Sequence, residues 1–218
     1  RTLVPEILWT GLSIAYYSGI LVTMMSLTLA DGGASEDDQF KQAMLAMSVF
    51  GVGEVFGCFF IGQVIDRFGS KPGTLTILSI ILIMSGLTLG YIAYWEFGFM
   101  AYLMCLFWGI QDSSVNTHVQ GILGFEFDDN TTPFSIMNAG QSIACVIFQV
   151  IDAYVDSTQK QFAIYSTIMC GLALIMNVPP FFFDFREKKS MHPTKKEAIK
   201  IMFNKDVEEL TGDDIRLE

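Results

Sequence analysis

Six long apolar runs follow one another along the chain: Thr2–Thr28, Gln42–Ile65, Thr74–Trp95, Phe97–Leu123, Phe134–Val155 and Gln161–Phe183. A helix needs about 20 mostly apolar residues to cross ~30 Å of hydrocarbon, and each run has that length. Within a bilayer the backbone must satisfy its own hydrogen bonds, which a helix does inside one segment. The alternative, a large buried helical core in a soluble protein, fails on surface area. Only 17% of the 218 residues are charged while 51% are hydrophobic, and Phe (19) and Met (12) are abundant. Six such segments with short loops leave too little polar surface to cover a globule, in line with a mean hydropathy of +0.44. The sequence predicts an all-α polytopic membrane protein with six transmembrane helices, embedded in a lipid bilayer.

Several function classes drop out at once. The chain has no G-x-S-x-G, no G-x-x-x-x-G-K-[ST], no H-E-x-x-H and no dinucleotide fingerprint, so no enzyme is expected. A formal net charge of −10 opposes nucleic-acid binding. Two histidines give little material for a metal site, and no metal or cofactor is expected. Cys58, Cys105, Cys145 and Cys170 fall inside the runs without a C-x-x-C pair, which reads as packing.

The bases set the expected orientation. With six spans, Arg1, Arg67, Lys71, Arg186, Lys188 and Lys189 gather on one side, against Lys41 and Lys160 on the other. Lys and Arg near span ends stay inside, so both termini are expected on the cytoplasmic or matrix-equivalent side. The opposite side is acidic, with Asp31, Glu36, Asp37 and Asp38 in one loop.

Between the second and third runs lies "GQVIDRFGSKPG", Gly62 to Gly73. It is expected to be a short inside loop. Gly62 would allow close helix approach, Asp66 would face a helix N-terminus, and Arg67 would pair with an acid or a lipid phosphate. Gly69 would make the reversal, and Lys71-Pro72 would start the next helix. A generic basic hairpin explains Arg67 and Lys71 but not the acid and the glycines.

That spacing resembles the G-x-x-x-D-R-x-G-x-K loop of the major facilitator superfamily. Three further stretches, "LVPEILWTGLSIAYYSG", "GVGEVFGCFFIGQVIDRFG" and "LFWGIQDSSVNTHVQGILGFEF", resemble the C-terminal half of its uncoordinated-ninety-three-like branch, and "PFSIMNAGQSIACVIFQVI" shares the likeness. The resemblance covers about residues 2–185. It implies half of a bundle of about twelve spans, whose two halves rock around a site near the bilayer midplane. A second transporter half, a homodimer or other membrane subunits would then complete the assembly.

Polarity inside the runs supplies site candidates. Glu54 falls near the middle of the second run and Asp112 near the middle of the fourth, with no Lys or Arg at similar depth. Each must be protonated, hydrogen-bonded or in a wet cavity. The functional reading is proton coupling or cation contact. The bland one is a neutral acid closing a helix contact, which Gly53 and Gly57 around Glu54 favour.

The fourth run is polar almost continuously from Gln111 to Gln120, including Asn116 and His118, and cannot face lipid. His118 alone would be a structural histidine; beside Asp112 it becomes a candidate for lining a polar cavity. In the fifth run Asn138, Gln141, Ser142, Cys145, Gln149 and Asp152 share one helix face opposite Ile143, Val146, Ile147 and Val150. Thr132-Pro133 would be its cap and first position. Such a stripe suits a cavity wall or a polar subunit interface.

The expected organisation is a half-bundle over residues 1–185 and an inside-facing tail, 186–218, carrying an amphipathic helix around Ile199–Leu210. Two functions remain: movement of a small solute together with a second half or partner, proton-coupled in one version, or a non-transporting structural or regulatory subunit of a larger membrane complex.

Overall fold

In the computed structural model of the protein, residues 2–127, 131–183 and 185 are described. Of these, 88% are helical and none lies in a strand. Among the described residues there are six helical rods: α1 (Val4–Asp31), α2 (Glu36–Phe68), α3 (Ser70–Tyr94), α4 (Phe99–Glu126), α5 (Thr131–Asp152) and α6 (Gln159–Asn177), the last followed by a 3-10 turn, Pro179–Phe182. The expected tail helix lies outside the described residues.

Local chemistry explains where the rods begin and end. Ser35 caps α2, its Oγ accepting from the Asp38 N–H at 3.3 Å, and Glu36, Asp37 and Asp38 complement the helix N-terminus. Those acids draw the helix back to Glu36, six residues earlier than the apolar run at Gln42 suggested. At the other end only Gly69 separates α2 from α3, at φ +98°, a left-handed conformation that glycine adopts without strain. Trp95 ends α3 at φ 51°, and its indole N–H donates to Asp31 Oδ2 at 2.8 Å, fastening that end to α1. Thr158 caps α6 through the Gln161 N–H.

Helix α1 is not uniform. Tyr17–Leu21 forms a π-helical turn, one residue more than the surrounding α-helix would use. Below it Glu6, Ser13 and Tyr16 meet α4, at His118, Asp112 and Trp108 respectively. The two chains of residues run in opposite order, so α1 and α4 are antiparallel.

Two other pairs run parallel and owe their closeness to glycine. In α2, a Cβ at Gly53 would overlap the Leu106 carbonyl oxygen of α4, and one at Gly57 would reach Ile110 O at 2.5 Å. Gly109 of α4 has Phe50 O in the place a side chain would take. In α1, a Cβ at Gly11 would overlap the Gln141 carbonyl oxygen of α5 and come within 2.8 Å of Ala144 Cβ. Only glycine lets two helix backbones touch in this way.

Trp9, Trp108, Tyr16, Tyr91 and Phe162 are the largest fully buried side chains. Tyr16 stacks on Trp108 with ring centroids 4.7 Å apart, and Trp108 donates to Thr88 Oγ1 of α3 at 2.9 Å. Helix α5 is the least enclosed rod, with only Met137 and Ala144 buried among its described residues.

Several expectations change. Five rods are long and apolar enough to cross a membrane; α4 is 28 residues long but its polar string lowers its apolarity. The charged motif is hardly a loop, since Gly62, Asp66 and Arg67 belong to α2 and Lys71 to α3. Gly62 is not a contact point, because a Cβ there meets nothing within 4 Å. Pro72 does sit in a first helical turn. Helix α5 starts at Thr131, so Thr132-Pro133 lies inside its first turn. Cys105 and Cys170 are buried, whereas Cys58 is exposed on α2.

Candidate functional site

Asp112 and His118 of α4 stand in two separate clusters. Asp112 is 5% exposed. Its Oδ1 accepts from Ser13 Oγ of α1 at 2.8 Å, and its Oδ2 accepts from Asn116 Nδ2 at 3.2 Å. Gln111 is buried beside it, with Oε1 3.4 Å from the same Ser13 hydroxyl. The Gln111 amide nitrogen is buried with no partner among the described residues. Glu54, half-buried on α2, lies within electrostatic reach of Asp112, and Tyr17 of α1 within reach of both. The structure thus brings Glu54, Asp112 and Asn116 together across α2 and α4 and adds Ser13, Gln111 and Tyr17. A carboxylate in hydrocarbon requires such partners, and Asp112 has them.

His118 is elsewhere. Its Nδ1 lies 2.8 Å from Glu6 Oε1 and its Nε2 3.4 Å from Thr74 Oγ1 of α3, with Glu6 and His118 each 1% exposed. This is a three-helix tie among α1, α3 and α4 at the end of the bundle that holds the chain's first residues. Glu6 was not singled out in the sequence. Its signal was position: Glu6 opens the first span and His118 nears the close of the fourth, so antiparallel packing puts them at one depth.

On α5 the predicted stripe survives as a face but is only partly covered. Gln141 and Cys145 are half-buried against α1, while Asn138, Ser142 and Gln149 are exposed. The opposite residues Ile143, Val146, Ile147 and Val150 are also exposed, between 52% and 61%, as a lipid-facing surface requires. At the far end Asp152 accepts a short hydrogen bond from the Tyr165 hydroxyl of α6. Asp66, Arg67 and Lys71 are exposed where α2 turns into α3, with Gly62 half-buried above them and Gly69 at the bend. Among the described residues no group of three or more His, Cys, Asp or Glu side chains converges as a metal site.

Apolar rods of spanning length, tied by buried polar clusters, define a polytopic integral membrane protein. The sugar (and other) transporter family model matches residues 4–123, more than half of the 218-residue chain. The chain belongs to that family, one of the major facilitator type, whose members are transporters and not enzymes. The match spans α1 to α4 up to Leu123 and so includes Glu54, Asp112, Asn116 and His118. No curated protein and no solved structure matches.

Proposed function

We propose that the chain is the C-terminal-type half of a major-facilitator bundle, akin to the uncoordinated-ninety-three-like branch, and moves a small solute together with a second six-helix unit. The observation that carries this reading is the exposed polar stripe Asn138, Ser142 and Gln149, on a helix whose other exposed face is apolar. Polar side chains within a span belong against protein or water. One face of α5 therefore meets lipid and another meets a second membrane unit or a wet path between the two. Glu54, half-buried beside the Asp112 cluster, is the group placed to exchange a proton or contact a cation along that path. Asp66, Arg67 and Lys71 dock against the partner at the cytoplasmic or equivalent side. The half-bundle over residues 1–185 is the working unit.

A second reading has its own observation. Asp112 spends both oxygens on Ser13 and Asn116, and His118 is engaged by Glu6 and Thr74. Polar groups used in this way hold helices together, as suits a non-transporting structural or regulatory subunit.

Two measurements on the full chain separate them. Mass in native-like nanodiscs should give an assembly of at least two six-helix units, and proteoliposomes of that assembly should take up solute. A stable monomer sinks the partner requirement. An assembly without uptake of any sugar or small polar solute sinks the transport reading and leaves the subunit one.

A further inference from the structure

In the half of the bundle away from the Glu6–His118 tie, the π-helical turn in mid-α1 and the end of α5 border an open cleft of about 520 Å3. Its lining includes Ser18, Thr23, Gln149, Asp152, Ser157 and Phe162. Neither the buried cluster at Asp112 nor the His118 tie contributes to it.

The polar side chains of this cleft centre on one carboxylate, with the Gln149 amide and the Ser157 hydroxyl at its exposed rim. Asp152 gives Oδ1 to the Tyr165 hydroxyl, while its Oδ2 is buried with no hydrogen-bond partner among the described residues. A shielded carboxylate oxygen without a donor is costly to keep, so it calls for one. The two hydroxyls of α1 do not supply it. Ser18 Oγ donates to Ile14 O at 2.6 Å and Thr23 Oγ1 donates to Gly19 O at 2.9 Å, so both hydrogens are committed to the loosened α1 backbone. What these side chains still offer is lone pairs. These are the i to i−4 bonds that serines and threonines also make elsewhere in the bundle, and the π turn beside them is a feature that recurs at functional sites.

Gly19 gives the carboxylate its room against α1. A Cβ there would stand 3.1 Å from Asp152 Oδ2 and 3.8 Å from its Cγ. The field points the same way. Asp31, Glu36, Asp37, Asp38, Glu96 and Asp156 lie at this end of the bundle against Lys41 and Lys160, and no Lys, Arg or His lines the cleft among the described residues. A negative vestibule concentrates cations.

We infer that this cleft binds a small organic ammonium, its N–H donors on Asp152 Oδ2 and the Ser18 and Thr23 oxygens, its carbon body against Phe162 and Ile20. A bare metal ion fits less well: one carboxylate is too few ligands, and the space far exceeds an ion. The inference goes beyond solute movement and does not depend on it, since it concerns equilibrium binding.

The test is calorimetric titration of the full chain in nanodiscs with n-butylammonium, set against 1-butanol as the neutral isostere. Saturable binding of the ammonium, at least tenfold tighter than the alcohol, is expected. Asp152→Asn retains an acceptor for Tyr165 and should fold, yet should weaken ammonium binding at least tenfold. Gly19→Ala keeps the charge but covers Oδ2, and should weaken it similarly. Asp156→Asn removes an equal charge at the same end and should change affinity less than twofold. Equal binding of ammonium and alcohol, indifference to Asp152→Asn, or displacement of the ammonium by millimolar calcium each overturns the assignment. A chain that binds butylammonium as expected but shows no uptake refutes transport alone; a chain that transports without binding it refutes only this site.

Discussion

His118 Nδ1 and Glu6 Oε1 stand 2.8 Å apart with both side chains shielded from solvent, joining the first and fourth helices across 112 positions of sequence. Removing one partner leaves the other buried and unsatisfied. Glu6→Ala should cost roughly 3–5 kcal/mol, whereas Glu6→Leu combined with His118→Leu should cost much less. Denaturant unfolding of the full chain in detergent reads both. Equal losses for the single and double variants would show that the pair does not act as a unit.

The glycine contacts give a sharper contrast. Gly109→Ala sets a methyl group against the Phe50 carbonyl, and Gly53→Ala does so against Leu106. Each should destabilise by about 1–3 kcal/mol, the usual range for overpacking. Gly62→Ala and Gly51→Ala meet open space and should be neutral or slightly stabilising. A melting-temperature series would reject this packing if Gly62→Ala proved as damaging as Gly109→Ala.

For Asp112 the prediction is functional. Asp112→Asn replaces one of the two acceptor oxygens, now taken by Ser13 Oγ and Asn116 Nδ2, with a neutral amide donor, so the charge is lost and one hydrogen bond must be redirected. PH-dependent uptake by the reconstituted assembly should vanish while far-ultraviolet circular dichroism stays helical. Uptake that survives with its pH dependence intact would make Asp112 a purely structural acid.

Sidedness can be read with single cysteines. A cysteine at Ser70, beside the α2–α3 bend, should label with impermeant maleimide only from the cytoplasmic or equivalent side. One at Asp37, at the far end of α2, should label only from the opposite side. Labelling of both from one side would refute an odd number of crossings between them.

Much of this was legible in the order of residues. Apolar runs marked all six rods, because span length and hydrophobicity are local properties. The bend at Gly69 was legible because a charged, glycine-bearing interruption between two such runs leaves few alternatives. The helix start at Glu36 was hidden, since Ser35 and three acids extend a helix through chemistry that hydropathy does not register. Glu54 and Asp112 announced themselves by depth, yet their partners did not. Ser13 and Tyr17 are ordinary in an apolar helix until the crossing of α1 with α4 and α2 brings them alongside. Gly62 misled for the converse reason: small residues permit contact, and only the rotation of the helix decides whether one occurs. Asp152 looked like the last member of a stripe, and nothing near it in sequence foretold Tyr165 or the cleft below Gly19.

The extra residue in the turn Tyr17–Leu21 has a further consequence for how this chain can vary. One residue more or fewer turns everything beyond it by about 100°. Ser13 and Glu6 are keyed to α4 on one side of the turn, while Thr28 is hydrogen bonded to Tyr91 of α3 on the other. Both sets of contacts hold only for one count of residues between them. The first helix can therefore accept many changes of identity, but a single-codon deletion anywhere from Ser13 to Thr28 would force one half of it to abandon its neighbours.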